Sequence, residues 1–108
     1  MKNGVENGEN NWSEWLDFNL QTIETAVVAD SPGVFKVHAS MKILFIGSSK
    51  NLRQSLIESL SDPCISKAKR FSYLITENAE QVKDQLLCEY REKHNGYLPQ
   101  CMDEQKTI

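Results

Sequence analysis

The fold is decided by residues 33–47, which read GVFKVHASMKILFIG. Polar and apolar residues alternate in part over 34–38, and residues 42–47 are rich in the β-branched and aromatic side chains that buried strands favour. Residues 30–33, Asp-Ser-Pro-Gly, precede the first run and have turn chemistry, since Pro fixes φ and Gly tolerates positive φ. Two strands so close in the chain predict a β-hairpin.

Further elements follow on the C-terminal side of this hairpin. Ser48 and Ser49 predict the N-cap of a helix whose leucines and isoleucine recur at helical spacing up to residue 60, and Asp62-Pro63 ends it. Residues 70–76 predict a third strand, and Asn78 predicts the cap of a long second helix that Gly96 and Pro99 terminate. The order β-β-α-β-α predicts an α+β domain around a small, three-stranded and mainly antiparallel sheet.

The length of 108 residues allows one domain. Residues 1–11 are rich in Asn, Gly and Glu and predict a disordered leader. We expect a single domain over 12–102 and a flexible tail over 103–108. The domain includes an N-terminal packing segment, but the mixed spacing of its apolar residues leaves helix and strand both open for residues 12–28.

The hydropathy pattern predicts no membrane partner. Uninterrupted apolar runs reach four residues, as in 26–29 and 43–46, against the roughly 20 that a transmembrane helix needs. The first residues lack the apolar stretch of a secretory signal, which favours a cytoplasmic protein.

The three cysteines predict reduced thiols. Cys64, Cys88 and Cys101 are an odd number, and their separations of 24 and 13 residues match neither a paired framework nor a Cys-x-x-Cys zinc site. A zinc site would need four ligands from these cysteines, His38 and His94, which are scattered in the sequence.

Charge is distributed unevenly. Residues 1–33 carry a net charge of −5, residues 34–76 carry +5 and residues 77–108 carry −3. A basic middle in an acidic chain can bind an anionic partner such as DNA or RNA, and the alternative is a solvated basic face. The candidate nucleic-acid contacts are Lys50, Arg53, Lys67, Lys69 and Arg70, since contacts with phosphates need only charge and reach.

A glycine followed by two serines, at 47–49, joins the second strand to the first helix. Such a junction can hold a phosphate on backbone N–H groups. The stretch has neither the Gly-x-Gly-x-x-Gly nor the Walker spacing. A tight turn followed by a helix cap is therefore the favoured interpretation.

Four short segments in one order resemble the GIY-YIG nuclease domain. They are Gly33-Val34-Phe35, then Leu44-Phe45-Ile46-Gly47, then residues 50–56, and then Leu86-Leu87-Cys88-Glu89. The resemblance covers residues 31–102. It implies a compact α+β nuclease fold and a one-metal hydrolysis of phosphodiesters, in which Tyr, Arg and Glu side chains act on water and the scissile phosphate.

The resemblance also assigns the family's functional positions. The two Tyr positions fall on Phe35 and Phe45, the helix Arg on Ser55, the metal-binding Glu on Glu89 and the terminal Asn on Met102. Only Glu89 is retained, and at the margin of the apolar stripe it can equally be a solvated flank residue. Phe has no proton to exchange and Ser cannot form the bidentate contact that Arg makes with phosphate.

These substitutions predict a catalytically degenerate GIY-YIG-like domain, a pseudoenzyme that binds nucleic acid or acts as an accessory module. One alternative is an active endonuclease with relocated groups, such as Arg53 with Tyr73 or Tyr90. Another is a protein-interaction module in which Trp12 and Trp15 dock on a protein partner or on the domain's own basic middle. We expect no cofactor, or a single Mg²⁺ or Mn²⁺ bound by Glu89 if the domain is active.

Overall fold

The computed structural model describes residues 12–103. In chain order the elements are β1 (Leu16–Asp17), α1 (Leu20–Ala26), β2 (Gly33–Ala39), β3 (Lys42–Ser49), α2 (Leu52–Ser59), a 3₁₀ turn (Ile65–Lys67), β4 (Arg70–Ile75), α3 (Ala79–Lys93) and α4 (Gln100–Asp103). The predicted leader, 1–11, lies outside the described residues. So does the predicted tail apart from Asp103, which ends α4.

The four strands form one antiparallel sheet in the order β1-β4-β2-β3. The α+β class is therefore confirmed, but the sheet has one strand more than the three predicted. The additional strand is β1, in which Leu16 pairs with Phe71 and Asp17 with Arg70. A two-residue strand is too short to show alternation in the sequence, so only its pairing partner reveals it. The segment that was left open, 12–28, contains this strand and helix α1.

The predicted hairpin is confirmed by the pairing of β2 with β3, from Gly33 and Ser49 to Ala39 and Lys42. Its two-residue turn consists of Ser40 and Met41, which both have left-handed φ values, 53° and 66°. Two left-handed residues match the twist of the flanking strands, although Gly and Asn are the residue types that adopt them most readily. The register shifts between Val37 and His38, as at a β-bulge.

The main hydrophobic cluster lies on one face of the sheet, and Val34, Ile46 and Leu74 are buried on the other. Phe35 and Val37 point to the face of the main cluster from β2, because strand side chains alternate, and they pack with residues of α1, α2, α4 and the 3₁₀ turn. These core residues include Ile23, Leu52, Leu56, Ile65, Phe71 and Cys101. Helix α3 lies over the opposite face, next to Lys36 and Ile46, and none of its residues is fully buried.

Cys64 and Cys101 form a disulfide, with Cα atoms 5.7 Å apart and a separation of 37 positions in sequence. The prediction of three reduced thiols was therefore wrong for this pair, whereas Cys88 is free and exposed. The disulfide also removes two of the five ligands that a zinc site could have used. The sequence separations did not reveal the pair because folding of α4 against the core brings the two cysteines together.

Candidate functional site

A depression at the β3 edge of the sheet collects most of the positions that the GIY-YIG resemblance assigns to the reaction. Phe35, Phe45, Ser55 and Met102 all line it, and its volume is about 480 Å³. We call it the edge depression. Its other lining residues are Ile46, Gly47, Ser48, Glu58, Ser59, Asp62, Glu80 and Lys83.

Two aromatic rings form the apolar part of the edge depression. The ring centroids of Phe35 and Phe45 lie 5.8 Å apart, and Phe35 is 3% exposed while Phe45 is half-buried. Gly47 lies against both rings: a Cβ added there would be 2.6 Å from Cε2 of Phe45 and 2.9 Å from Cζ of Phe35. The rings therefore occupy the space that any larger residue at 47 would need.

A row of serines forms the polar wall. The Oγ atoms of Ser55 and Ser49 lie 2.6 Å apart, and Ser59 Oγ donates to the Ser55 carbonyl at 2.8 Å. Ser55, which the resemblance aligns with an arginine, is thus hydrogen-bonded within the protein. Asp62 is also engaged, since its Oδ1 accepts from the amides of Cys64 and Ile65.

The carboxylate that reaches the edge depression from α3 is Glu80. Ser48 Oγ donates to its Oε2 at 2.6 Å, and Lys83 Nζ lies 3.3 Å from its Oε1. The hydrogen bond from Ser48 and the contact with Lys83 lower the pKa of Glu80. Sequence reasoning did not select this residue. The available signal was the predicted cap at Asn78, which puts Glu80 in the first turn of the helix.

Glu89 lines a different cavity, between the hairpin and the C-terminal half of α3. This cavity, the hairpin groove, has a volume of about 560 Å³ and is lined by Lys36, Ser40, Met41, Lys42, Ile43, Ile46, Leu86, Glu89, Tyr90, Lys93 and His94. The structure therefore brings together Phe35, Phe45, Ser55 and Met102 and leaves Glu89 apart from them.

The five candidate nucleic-acid contacts lie at two ends of the sheet. Lys50 and Arg53 follow Ser49, which pairs with Gly33, whereas Arg70 pairs with His38 at the other end of β2. Five residues of strand separate these ends by about 17 Å. Lys67 and Lys69 precede Arg70, and Arg70 forms an ion pair with Asp17. The basic middle is therefore not one patch in the folded chain.

The residues that the active-nuclease alternative needs, Arg53 with Tyr73 or Tyr90, also lie outside the edge depression. Tyr73 donates its hydroxyl to the Ala26 carbonyl at 3.0 Å. Tyr90 stacks on His94 with ring centroids 3.7 Å apart in the hairpin groove. Neither these tyrosines nor Arg53 lines the edge depression.

The two tryptophans contact the chain's own basic segment. Lys36 Nζ lies 4.2 Å from the ring centroid of Trp12 and 5.5 Å from that of Trp15, within cation–π range. Trp15 also packs edge-on against His38, with centroids 4.0 Å apart. Burial, and then the charges of Arg70 and Lys36, lower the pKa of His38.

The start of α2 does not form an open phosphate cradle. Its N-cap is Asn51, not Ser48 or Ser49, and the Asn51 side chain accepts from the amide of Gln54 at 3.2 Å. The amide of Leu52 donates to the Ser31 carbonyl at 2.8 Å. These donors are already satisfied, so they are not free to hold a phosphate. The predicted tight turn and serine cap were wrong, because residues 47–49 belong to strand β3 and the cap is Asn51.

Within residues 12–103, no three His, Cys, Asp or Glu side chains are grouped so that they could hold a metal ion. Nor does any helix in that range combine the length and apolarity needed to cross a membrane. The fold and the edge depression thus define an α+β domain with an antiparallel sheet. No known family, curated protein or solved structure matches the chain.

Proposed function

We propose that this chain is a GIY-YIG-like domain that binds DNA or RNA and does not hydrolyse it. The observation that carries the proposal is the meeting of Phe35, Phe45, Ser55 and Met102 in one depression. These positions were assigned from the resemblance alone and span two strands, a helix and the C-terminal segment. Their common location supports the alignment on which the resemblance rests.

The chemistry of the edge depression supports a loss of hydrolysis. Its two aromatic rings carry no hydroxyl, and Ser55 carries no positive charge. Each missing group of this kind typically lowers the rate by about 10²-fold or more. Glu80, and not Glu89, is the carboxylate from α3 that lines the edge depression, and both of its oxygens already contact Ser48 or Lys83. This donor set does not fit a divalent cation, so the proposal includes no metal step.

Charge directs a nucleic acid away from the edge depression. Glu58, Asp62 and Glu80 line it together with a single cation, Lys83. A phosphate there would meet a local excess of negative charge. Phosphate contacts are therefore assigned to exposed basic residues outside it, among which are Lys50, Lys67 and Lys69.

The first experiment measures cleavage. The chain is incubated with Mg²⁺ or Mn²⁺ and with duplex, single-stranded or branched DNA, and we expect no cutting. Two matched variants, Glu80→Ala and Glu89→Ala, show which carboxylate matters if cutting occurs. Metal-dependent cleavage that either variant abolishes would establish an active nuclease and refute the proposal.

The second experiment measures binding by fluorescence anisotropy between 50 and 200 mM salt. Affinity should be weak, insensitive to sequence and strongly salt-dependent, with log K falling by about 0.9 per phosphate contact for each unit of log salt. Substitution of all five candidate contacts by Gln should flatten this slope, whereas Lys83→Gln should leave it unchanged. Absence of binding at low salt, or a slope unaffected by the five substitutions, would refute the assignment. The five residues would then form a solvated basic surface with no nucleic-acid partner.

A further inference from the structure

The tip of the β2–β3 hairpin presents an apolar side chain to solvent. Met41 is 96% exposed. It and Ser40 both hold left-handed backbone conformations, which non-glycine residues rarely adopt. The two-residue turn is closed by the pairing of Ala39 with Lys42. The hairpin therefore presents an exposed methionine to solvent at the end of a short, closed turn.

Positive charge surrounds this tip. The hairpin groove contains Lys36, Lys42 and Lys93 against one carboxylate, Glu89. Within residues 12–103, neither Lys42 nor Lys93 forms an ion pair. The groove thus has the opposite charge balance to the edge depression, where three carboxylates face one lysine.

Two more basic residues lie at the same end of the sheet. Arg70 pairs with His38, and the amide of Lys69 donates to the His38 carbonyl at 2.9 Å. His38 also pairs with Ile43, so Arg70 and Ile43 are two strand spacings, or about 10 Å, apart. Lys42, Lys69 and Arg70 therefore lie at one end of the sheet, with Met41 at its tip. Arg70 is ion-paired with Asp17 there, so the lysines supply the net positive charge.

We propose that this end of the sheet contacts duplex DNA, with Met41 inserted against a base step and the basic residues placed on the adjacent phosphates. The inference rests on the proposed function and specifies where on the domain the nucleic acid binds and how it is contacted. Apolar wedges flanked by basic side chains are a known way for proteins to enter the minor groove and unstack a step. The charge balance of the hairpin groove favours a phosphate backbone here over the edge depression.

The test uses the full chain and a 20-base-pair duplex with 2-aminopurine at flexible steps. Anisotropy gives the affinity and its salt slope, while 2-aminopurine fluorescence reports unstacking. The variants are Met41→Gly and the pair Lys42→Gln with Lys93→Gln. A comparison pair, Lys50→Gln with Arg53→Gln, lies at the other end of the sheet. The two controls are Lys83→Gln in the edge depression and Val28→Ser, which changes another exposed apolar residue.

Each variant has a distinct expected result. Met41→Gly should retain the fold, because Gly accepts a φ of 66° and the side chain has almost no contacts to lose. It should abolish the 2-aminopurine signal and leave the salt slope unchanged. The Lys42 and Lys93 pair should reduce the slope by about 2 and weaken binding 10- to 100-fold near 0.1 M salt. Both controls should bind as the unmodified chain does.

The outcomes separate this inference from the function on which it rests. If neither the parent chain nor any variant binds DNA or RNA, the proposed function is refuted. If the parent binds but only the Lys50 and Arg53 pair weakens it, the proposed function stands and this inference is wrong. Equal binding by Met41→Gly with an unchanged 2-aminopurine signal would refute the wedge. Stronger binding to vesicles of anionic lipid than to the duplex, with the same residue dependence, would also overturn the inference.

Discussion

Reduction of the Cys64–Cys101 disulfide removes a cross-link that spans 37 residues. In the chain-entropy relation, a cross-link acts mainly by restricting the unfolded chain, and a loop of this length stabilises the native state by about 3.8 kcal/mol at 25 °C. Domains of ordinary stability have about 5–15 kcal/mol in total. The cross-link is therefore a large part of what keeps this domain folded.

The native contacts around the disulfide modify this estimate only slightly. Cys101 is 2% exposed and Pro99 is fully buried, so α4 keeps apolar contacts with the core after reduction. For a domain of this size each kcal/mol shifts Tm by about 4–8 °C. We expect reduction to lower Tm by about 15–30 °C.

The assay is a thermal unfolding scan by circular dichroism with and without a phosphine reductant, together with thiol counting in denaturant. The oxidised chain should show one reactive thiol, Cys88, and the reduced chain three. Cys64→Ala with Cys101→Ala should melt like the reduced chain and should not respond to reductant. Cys88→Ser is the control that keeps the response. Three reactive thiols in protein prepared under air, with the same Tm in both conditions, would refute the reasoning.

The remaining predictions concern the edge depression and His38. Gly47→Ala should destabilise the domain by about 1–3 kcal/mol, because the added Cβ would contact both phenylalanine rings and overpack the site. Unchanged stability in urea unfolding would show that the rings move aside. Phe35→Tyr should cost about 1–3 kcal/mol, since Phe35 is 3% exposed and its added hydroxyl would lose contact with water. Phe45→Tyr, at a half-buried site, should cost much less. Equal losses in chemical denaturation would contradict this difference. His38 should reduce stability in acid. Its pKa is lowered in the folded state from the ordinary 6.5, so the unfolded chain binds more protons below that pH and the unfolding free energy falls as the pH drops from about 6.5. His38→Gln should flatten this dependence, and an identical pH profile in the two proteins would exclude His38 as the cause.

The sequence alone predicted the elements that local patterns define. The hairpin, β4, α2 and α3 occur where alternation and helical spacing predicted them, because these periods depend on neighbours in the chain. Cap chemistry was less exact: the cap of α2 is Asn51 instead of Ser48 or Ser49, and Asn78 makes no capping hydrogen bond through its side chain. Ends of helices vary because several polar residues can compete for the same free amides.

Only the tertiary structure decided which residues lie together at each surface. Cys64 meets Cys101 because α4 folds back on the core, and β1 is a strand only because β4 offers it an unpaired edge. Glu80 and Glu89 lie on one helix, yet the way that α3 lies across the sheet sends the first to the edge depression and the second to the hairpin groove. The basic middle likewise divides between the two ends of the sheet, since consecutive strands run in opposite directions. Such placements depend on how elements pack, which local periodicity does not encode.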